Sequence, residues 1–103
     1  MSLQIDVDRG RITAFCNRWK VRELALFGSV LRDDFTNHSD VDVLVTFAPD
    51  HQWSLFDLVT MRDELASLFG RPVDLLTRDA VEASPNPYRR RAILESAEVL
   101  HAA

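Results

Sequence analysis

The sequence predicts one small α/β domain: a mixed β-sheet of three to four strands with helices packed on it. Stretches with apolar residues at i, i+3, i+4 and i+7 alternate with short β-branched runs, in the order α-β-turn-β-α-β-α. The length of 103 residues suits a single core, since domains usually run to about 100–150 residues. The balance of 47% apolar and 27% charged residues is that of a globular chain. The domain is therefore taken as residues 1–103, with helices expected on one side of the sheet and the strand order left open.

A first helix is predicted from about Asp8 to Trp19, where Ile12, Phe15, Cys16 and Trp19 form one apolar stripe. Asp6 and Asp8 suit its positive end. Cys16 falls inside that stripe and reads as a small core residue. Val21 to Phe27 is apolar on both faces around Leu24, Ala25, Leu26 and Phe27, the pattern of a buried strand. It ends at Gly28-Ser29. Val30-Leu31-Arg32 suits a short helical turn, and Asp33 to Ser39 is rich in turn formers. Val41 to Phe47 is the strongest strand signal.

Pro49-Asp50 ends that strand. Trp53 to Phe69 reads as a second helix, with Leu55, Leu58, Val59, Arg62, Leu65 and Phe69 near one side and Gly70 as its stop. Trp53, Phe56 and Phe69 are expected in the core. Arg71 to Thr77 is a third strand. Asn86-Pro87 opens a final helix expected to reach about Leu100, with Ile93, Leu94, Ala97 and Leu100 at helical spacing. Arg89-Arg90-Arg91 on it reads as a solvated face.

Composition narrows the function classes. No apolar run approaches the ~20 residues of a membrane-spanning helix. The opening Met1 to Asp6 lacks the basic and apolar regions of a signal peptide. One cysteine cannot form an internal disulfide, which points to a reducing cytoplasm. That cysteine and the scattered His38, His51 and His101 do not form a zinc pattern. The net charge of −4 is unevenly spread: residues 1–32 carry +3, residues 33–64 carry −7 and residues 65–103 are neutral. A strongly acidic middle repels nucleic-acid phosphates unless cations sit on it, so no direct nucleic-acid binding is expected, and no membrane binding.

Two of those acids lie where apolar residues would stabilise more. Side chains alternate along a strand, so Asp40 and Asp42 share one face while Val41, Val43 and Val45 take the other. Paired carboxylates repel, and such a break with the local rule marks a functional site. Hard divalent cations, Mg²⁺ above all, relieve that repulsion. Asp74, between Val73 and Leu75, repeats the oddity. If its strand neighbours the Asp40–Phe47 segment in matching register, Asp74 joins the same cluster. Three carboxylates can hold two Mg²⁺ about 3.5–4 Å apart, the arrangement of in-line phosphoryl displacement. Gly28 lets backbone approach a phosphate, and Ser29 begins a turn whose N–H groups form a small anion site. Arg32, one turn on, can reach a phosphate or pair with Asp33 or Asp34.

Gly28-Ser29, ten residues, then Asp40-Val41-Asp42 resembles the Gly-Ser…Asp-x-Asp signature of the DNA-polymerase-β-like nucleotidyltransferase superfamily. The wider stretches Leu24–Arg32 and Ser39–Val45 are similar to its minimal nucleotidyltransferases, the MNT proteins, and Asp74 matches the third acidic position. The resemblance implies the polymerase-β-like fold and transfer of a nucleoside monophosphate, AMP above all, from a triphosphate such as ATP to a hydroxyl. It implies Asp40, Asp42 and Asp74 as catalytic metal ligands for two Mg²⁺, with Mn²⁺ able to substitute. It implies Gly28, Ser29 and Arg32 as nucleotide-binding residues. The partner it implies is a HEPN-domain toxin modified on a tyrosine, this chain being the antitoxin. With no appended acceptor-binding segment, the acceptor is expected to bring its own surface. Association with itself or with the partner is left open.

The alternative is a non-catalytic antitoxin that neutralises by forming a complex. A metal-dependent nuclease fits poorly, because the only lysine, Lys20, precedes the first strand and lies far from any acid pair.

Overall fold

The computed structural model describes residues 7–28, 40–50 and 53–102. Ser29, Arg32, His38 and His51 lie outside the described residues, as do the expected turn at 30–32 and loop at 33–39. The elements in chain order are α1 (Arg9–Trp19), β1 (Val21–Phe27), β2 (Val41–Phe47), α2 (Leu55–Phe69), β3 (Val73–Thr77), α3 (Arg78–Glu82), α4 (Pro87–Ser96) and β4 (Glu98–Ala102). No described helix is long and apolar enough to cross a membrane.

Each helix starts on a side chain that satisfies otherwise orphaned N–H groups. Asp8 accepts from Arg11 N for α1. Ser54 and Asp57 form a reciprocal capping box for α2. Thr77 serves α3, and Asn86 ahead of Pro87 serves α4. Gly70 closes α2 in the left-handed conformation, φ 69°, where a side chain would be strained.

The sheet order is β3-β2-β1-β4. β1 runs antiparallel to both β2 and β4, while β2 and β3 are parallel and joined through α2. β1 carries a bulge near Arg22, which explains its burial pattern. The extra residue puts Val21 on the same face as Leu24 and Leu26 despite the spacing of three.

Helices cover both faces of the sheet, not the single side expected. On one face Ile12, Phe15, Cys16 and Trp19 of α1 and Met61, Leu65 and Phe69 of α2 pack on Leu24, Leu26, Val41, Val43 and Val45. On the other, Val81 of α3 and Ile93 of α4 cover Ala25, Phe27 and Leu44. The cause is β1, which is apolar on both faces and needs cover on each.

The final helix also stops sooner than its spacing suggests. It ends at Ser96, and residues 98–102 form β4 along the free side of β1. Leu100 therefore packs with α1 and α2, on the face opposite Ile93. The α2 stripe is corrected as well. Its buried face is Met61, Leu65 and Phe69, while Leu55 and Val59 are exposed and Phe56 is 85% exposed. Trp53 is half-buried, edge-on to Trp19 at 5.2 Å. Glu64 on α2 accepts from both Trp19 Nε1 and Arg18 Nη1 of α1, tying the two helices together.

Cys16 is 1% exposed, and burial pushes its thiol up to about 11. Neutral thiol is thus favoured in the folded chain, so this contribution is complete below about pH 9 and is lost as pH rises towards 11. Urea midpoints of the wild type should fall across that window relative to those of Cys16→Ala. In the same assay Phe69→Ala should cost about 3–5 kcal/mol, and Phe56→Ala less than about 0.5 kcal/mol.

Candidate active site

Three strand ends meet at one edge of the domain. β1 arrives there while β2 and β3, parallel to each other, both depart. The register pairs Phe27 with Asp42 and Asp42 with Asp74. Directly paired residues on neighbouring strands project to the same face, with backbones about 4.8 Å apart. Asp42 and Asp74 therefore stand side by side on the face that carries Leu44, Phe27 and Ala25. Asp40 immediately precedes β2, about 6.7 Å along the chain from Asp42. It is exposed, as is Asp74, while Asp42 is half-buried.

Gly28 completes the corner. Its φ is +77°, a conformation that L side chains rarely adopt. A Cβ placed there would stand 2.2 Å from Asp42 Oδ2 and 3.1 Å from its Cγ. Glycine is thus required twice over, by backbone angle and by the carboxylate lying against it. The sequence marks Gly28 as a site for close approach to a phosphate, and the structure adds that Asp42 already occupies its flank. Of the other expected site residues, Ser29 and Arg32 lie outside the described residues.

Among the described residues no three His, Cys, Asp or Glu side chains stand grouped to hold a metal ion, so the acids are not a preformed cage. The donor chemistry and backbone placement fit Mg²⁺ all the same. Two hard carboxylates sit on adjacent strands with a third one pleat away, and Mg²⁺ typically takes one or two carboxylates, keeping waters and substrate phosphates for the rest.

Sequence reasoning missed one neighbouring feature, the cleft between β3, α3 and α4. The signal available was Thr77 followed by Asp79 and Ala80, a helix start directly after the third strand.

A mixed sheet with an acid row at the starts of two parallel strands, beside a glycine corner, is the framework of a nucleotidyltransferase. Residues 10–100 match the Nucleotidyltransferase domain family, and the chain belongs to that family. A relative from Methanocaldococcus jannaschii, named "Putative protein adenylyltransferase MJ0128", is 39% identical over 76% of this chain and 74% of its own length. Among solved structures, one described as a toxin-antitoxin with AMP-PNP superposes with a TM-score of 0.71 at 18% identity, over 94% of this chain and 75% of that one. Another, described as the tri-AMPylated Shewanella oneidensis HEPN toxin in complex with MNT antitoxin, gives 0.62 at 18% identity, over 92% and 70%. These two likenesses concern the fold.

Gly28→Ala should destabilise the domain by at least about 1 kcal/mol from the positive φ alone. Combining it with Asp42→Ala should recover the steric part of the loss, leaving the backbone part. A double-mutant cycle by chemical denaturation measures that coupling.

Proposed function

We propose that this nucleotidyltransferase transfers AMP from ATP to a hydroxyl of a partner protein, a tyrosine of a HEPN-type toxin, and acts as its antitoxin in the cytoplasm. The observation that carries the reading is the pairing of Asp42 with Asp74 across β2 and β3, against the Gly28 corner. The family match supports the reaction class. The related complex, whose HEPN toxin is described as carrying AMP, supports the choice of partner.

Asp40, Asp42 and Asp74 would hold Mg²⁺, two ions in full occupancy, with Mn²⁺ a workable substitute. Bound metal supplies charge neutralisation along the triphosphate and lowers the pKa of the acceptor hydroxyl. The chain's own groups do the rest. Gly28 leaves the phosphates room for a close approach, and Ser29 and Arg32 would add a hydroxyl and a guanidinium toward them. Asp74, on the outer strand, faces the acceptor and takes its proton. The acceptor oxygen bonds to the α-phosphorus as the bond to the bridging oxygen breaks, and pyrophosphate leaves.

Incubated with ATP and Mg²⁺, the partner should gain mass in AMP increments. Asp42→Ala should abolish the gain while the complex still elutes as one species. A wild-type chain that binds its partner yet leaves its mass unchanged would establish neutralisation by contact instead. Mg²⁺ with ATP at about ten times Kd should stabilise the fold by about 1.4 kcal/mol, raising Tm by about 5–10 °C. Melts indifferent to both would count against a working site. Asp40→Asn should remove activity yet leave the apo protein as stable or more so, because like-charge repulsion is relieved.

A further inference from the structure

Helix α4 opens on the only tyrosine of the chain. Tyr88 is 84% exposed, and its hydroxyl has no hydrogen-bond partner among the described residues. Its backbone, by contrast, is fixed. Pro87 takes the first helical position and Tyr88 N donates to Asn86 Oδ1, so the ring stands out from a capped helix start. Other hydroxyls are engaged. Those of Ser54 and Thr77 cap α2 and α3, Thr60 and Ser96 donate to carbonyls one turn back, and Ser84 accepts from Asn86 N. Tyr88 thus offers an acceptor hydroxyl of the kind on which the proposed transfer acts.

The surroundings of the ring are basic. Within Pro87–Ser96 three arginines stand against one glutamate. Arg90 Nη1 donates to the carbonyl oxygens of Glu82 and Ser84, which pins the helix start to the end of α3. Pro87, Tyr88, Arg90 and Arg91 line a hollow of about 360 Å³. Arg91 meets Glu95 at 3.6 Å, both largely exposed, a pairing that leaves the guanidinium available to a phosphate. Arg89 is exposed and has no carboxylate partner among the described residues. A guanidinium carried in with the acceptor suits a transferring phosphoryl group, because it meets the charge that builds on the phosphate oxygens and on the leaving pyrophosphate.

The acidic edge is the complementary surface. Asp40 and Asp74 are exposed there, and residues 33–64 carry −7. A basic helix start meets such an edge favourably. Within one molecule it is the other end of α4 that lies near this edge. Ser96 leads within two residues into Glu98, which pairs with Leu26 at the acidic end of β1. Tyr88, eight residues earlier, is about 12 Å away along the helix. The edge that fits it is therefore that of a second copy.

We infer that Tyr88 is a self-modification site: one copy of the chain transfers AMP to the Tyr88 hydroxyl of another. The inference rests on the AMP-transfer reading above and goes beyond it in the acceptor. The Tyr88 oxygen bonds to the α-phosphorus of ATP held by the second copy. The bond from that phosphorus to the bridging oxygen breaks, pyrophosphate departs, and the phenolic proton passes to Asp74 of the second copy. The product is a tyrosyl phosphodiester whose single negative charge falls among Arg89, Arg90 and Arg91. That charge weakens the attraction to the acidic edge, so the modified copy leaves the site.

The test uses the full chain without its partner, incubated with ATP and Mg²⁺. Intact mass should show one AMP increment, and peptide mapping should place it on Tyr88. Tyr88→Phe should lose it with an unchanged Tm, because so exposed a ring packs against little. The rate should rise with the square of chain concentration. For the route between copies, Asp40→Asn supplies an acceptor without activity of its own and Tyr88→Phe supplies the enzyme. Mixed, they should place AMP on Tyr88 of the Asp40→Asn chain, which neither does alone. Adding Arg89→Glu to that acceptor should slow labelling at least about tenfold, and Arg89→Lys should keep most of it. A chain that modifies its partner but never Tyr88, that labels another of its own residues instead, or that labels Tyr88 at a rate per molecule independent of concentration overturns the inference and leaves the AMP-transfer reading standing. AMP on Tyr88 with none on the partner supports the inference and fails the choice of partner. AMP on neither overturns both.

Discussion

The backbone at Gly28 lies so close to the Asp42 carboxylate that no larger residue fits between them, and the geometry of the acidic edge depends on that approach. It ends β1 where β2 begins. The register behind it is enforced from the opposite face, where Val41, Val43 and Val45 are completely buried against α1 and α2. Slipping β2 by one residue would turn Asp42 into that core and expel the valines. An apolar core on one face thus determines where carboxylates stand on the other.

The two faces are unequal, and the inequality leaves room for chemistry. One carries the large cluster built by α1 and α2. On the other, Ala25, Phe27, Leu44, Val81 and Ile93 are the fully packed side chains among the described residues. The short α3 and α4 pack over Ala25, Phe27 and Leu44, while among the described residues Asp40 and Asp74, at the beginnings of β2 and β3, are exposed. Two adjacent carboxylates tolerate that position because water still reaches them. Buried as deeply as Leu44, they would cost the domain much of its marginal stability.

Much of this was legible in the residues. β-branched density announced β2, Gly70 the end of α2, and the Asp-x-Asp alternation the shared face. The pairing of Asp74 with Asp42 was conditional on strand order, which local sequence does not encode. β4 stayed hidden because Ile93, Leu94, Ala97 and Leu100 satisfy a helical period. Only the open flank of β1 draws residues 98–102 into extension, a tertiary demand overriding local preference. The expected stripe of α2 departs from the buried face because its Leu55 and Val59 are apolar yet exposed, as is Phe56, expected separately in the core. Apolarity reports what a residue tolerates, and which side meets the sheet is decided by the crossover between β2 and β3. The cleft under α4 could not be seen at all, since it exists only where three separate segments meet.

The position of β4 has a consequence for how the domain comes into being. β1 lies second from one edge, and its outer neighbour is the last strand, with Glu23 beside Ala102. During synthesis β1 must wait for nearly eighty further residues before that flank is sealed. Such distant pairing slows folding and leaves an adhesive strand uncovered in the meantime. Nascent chains should therefore be vulnerable to edge-to-edge association until the closing segment emerges, and a binding partner or chaperone present during translation would have most to protect at that flank.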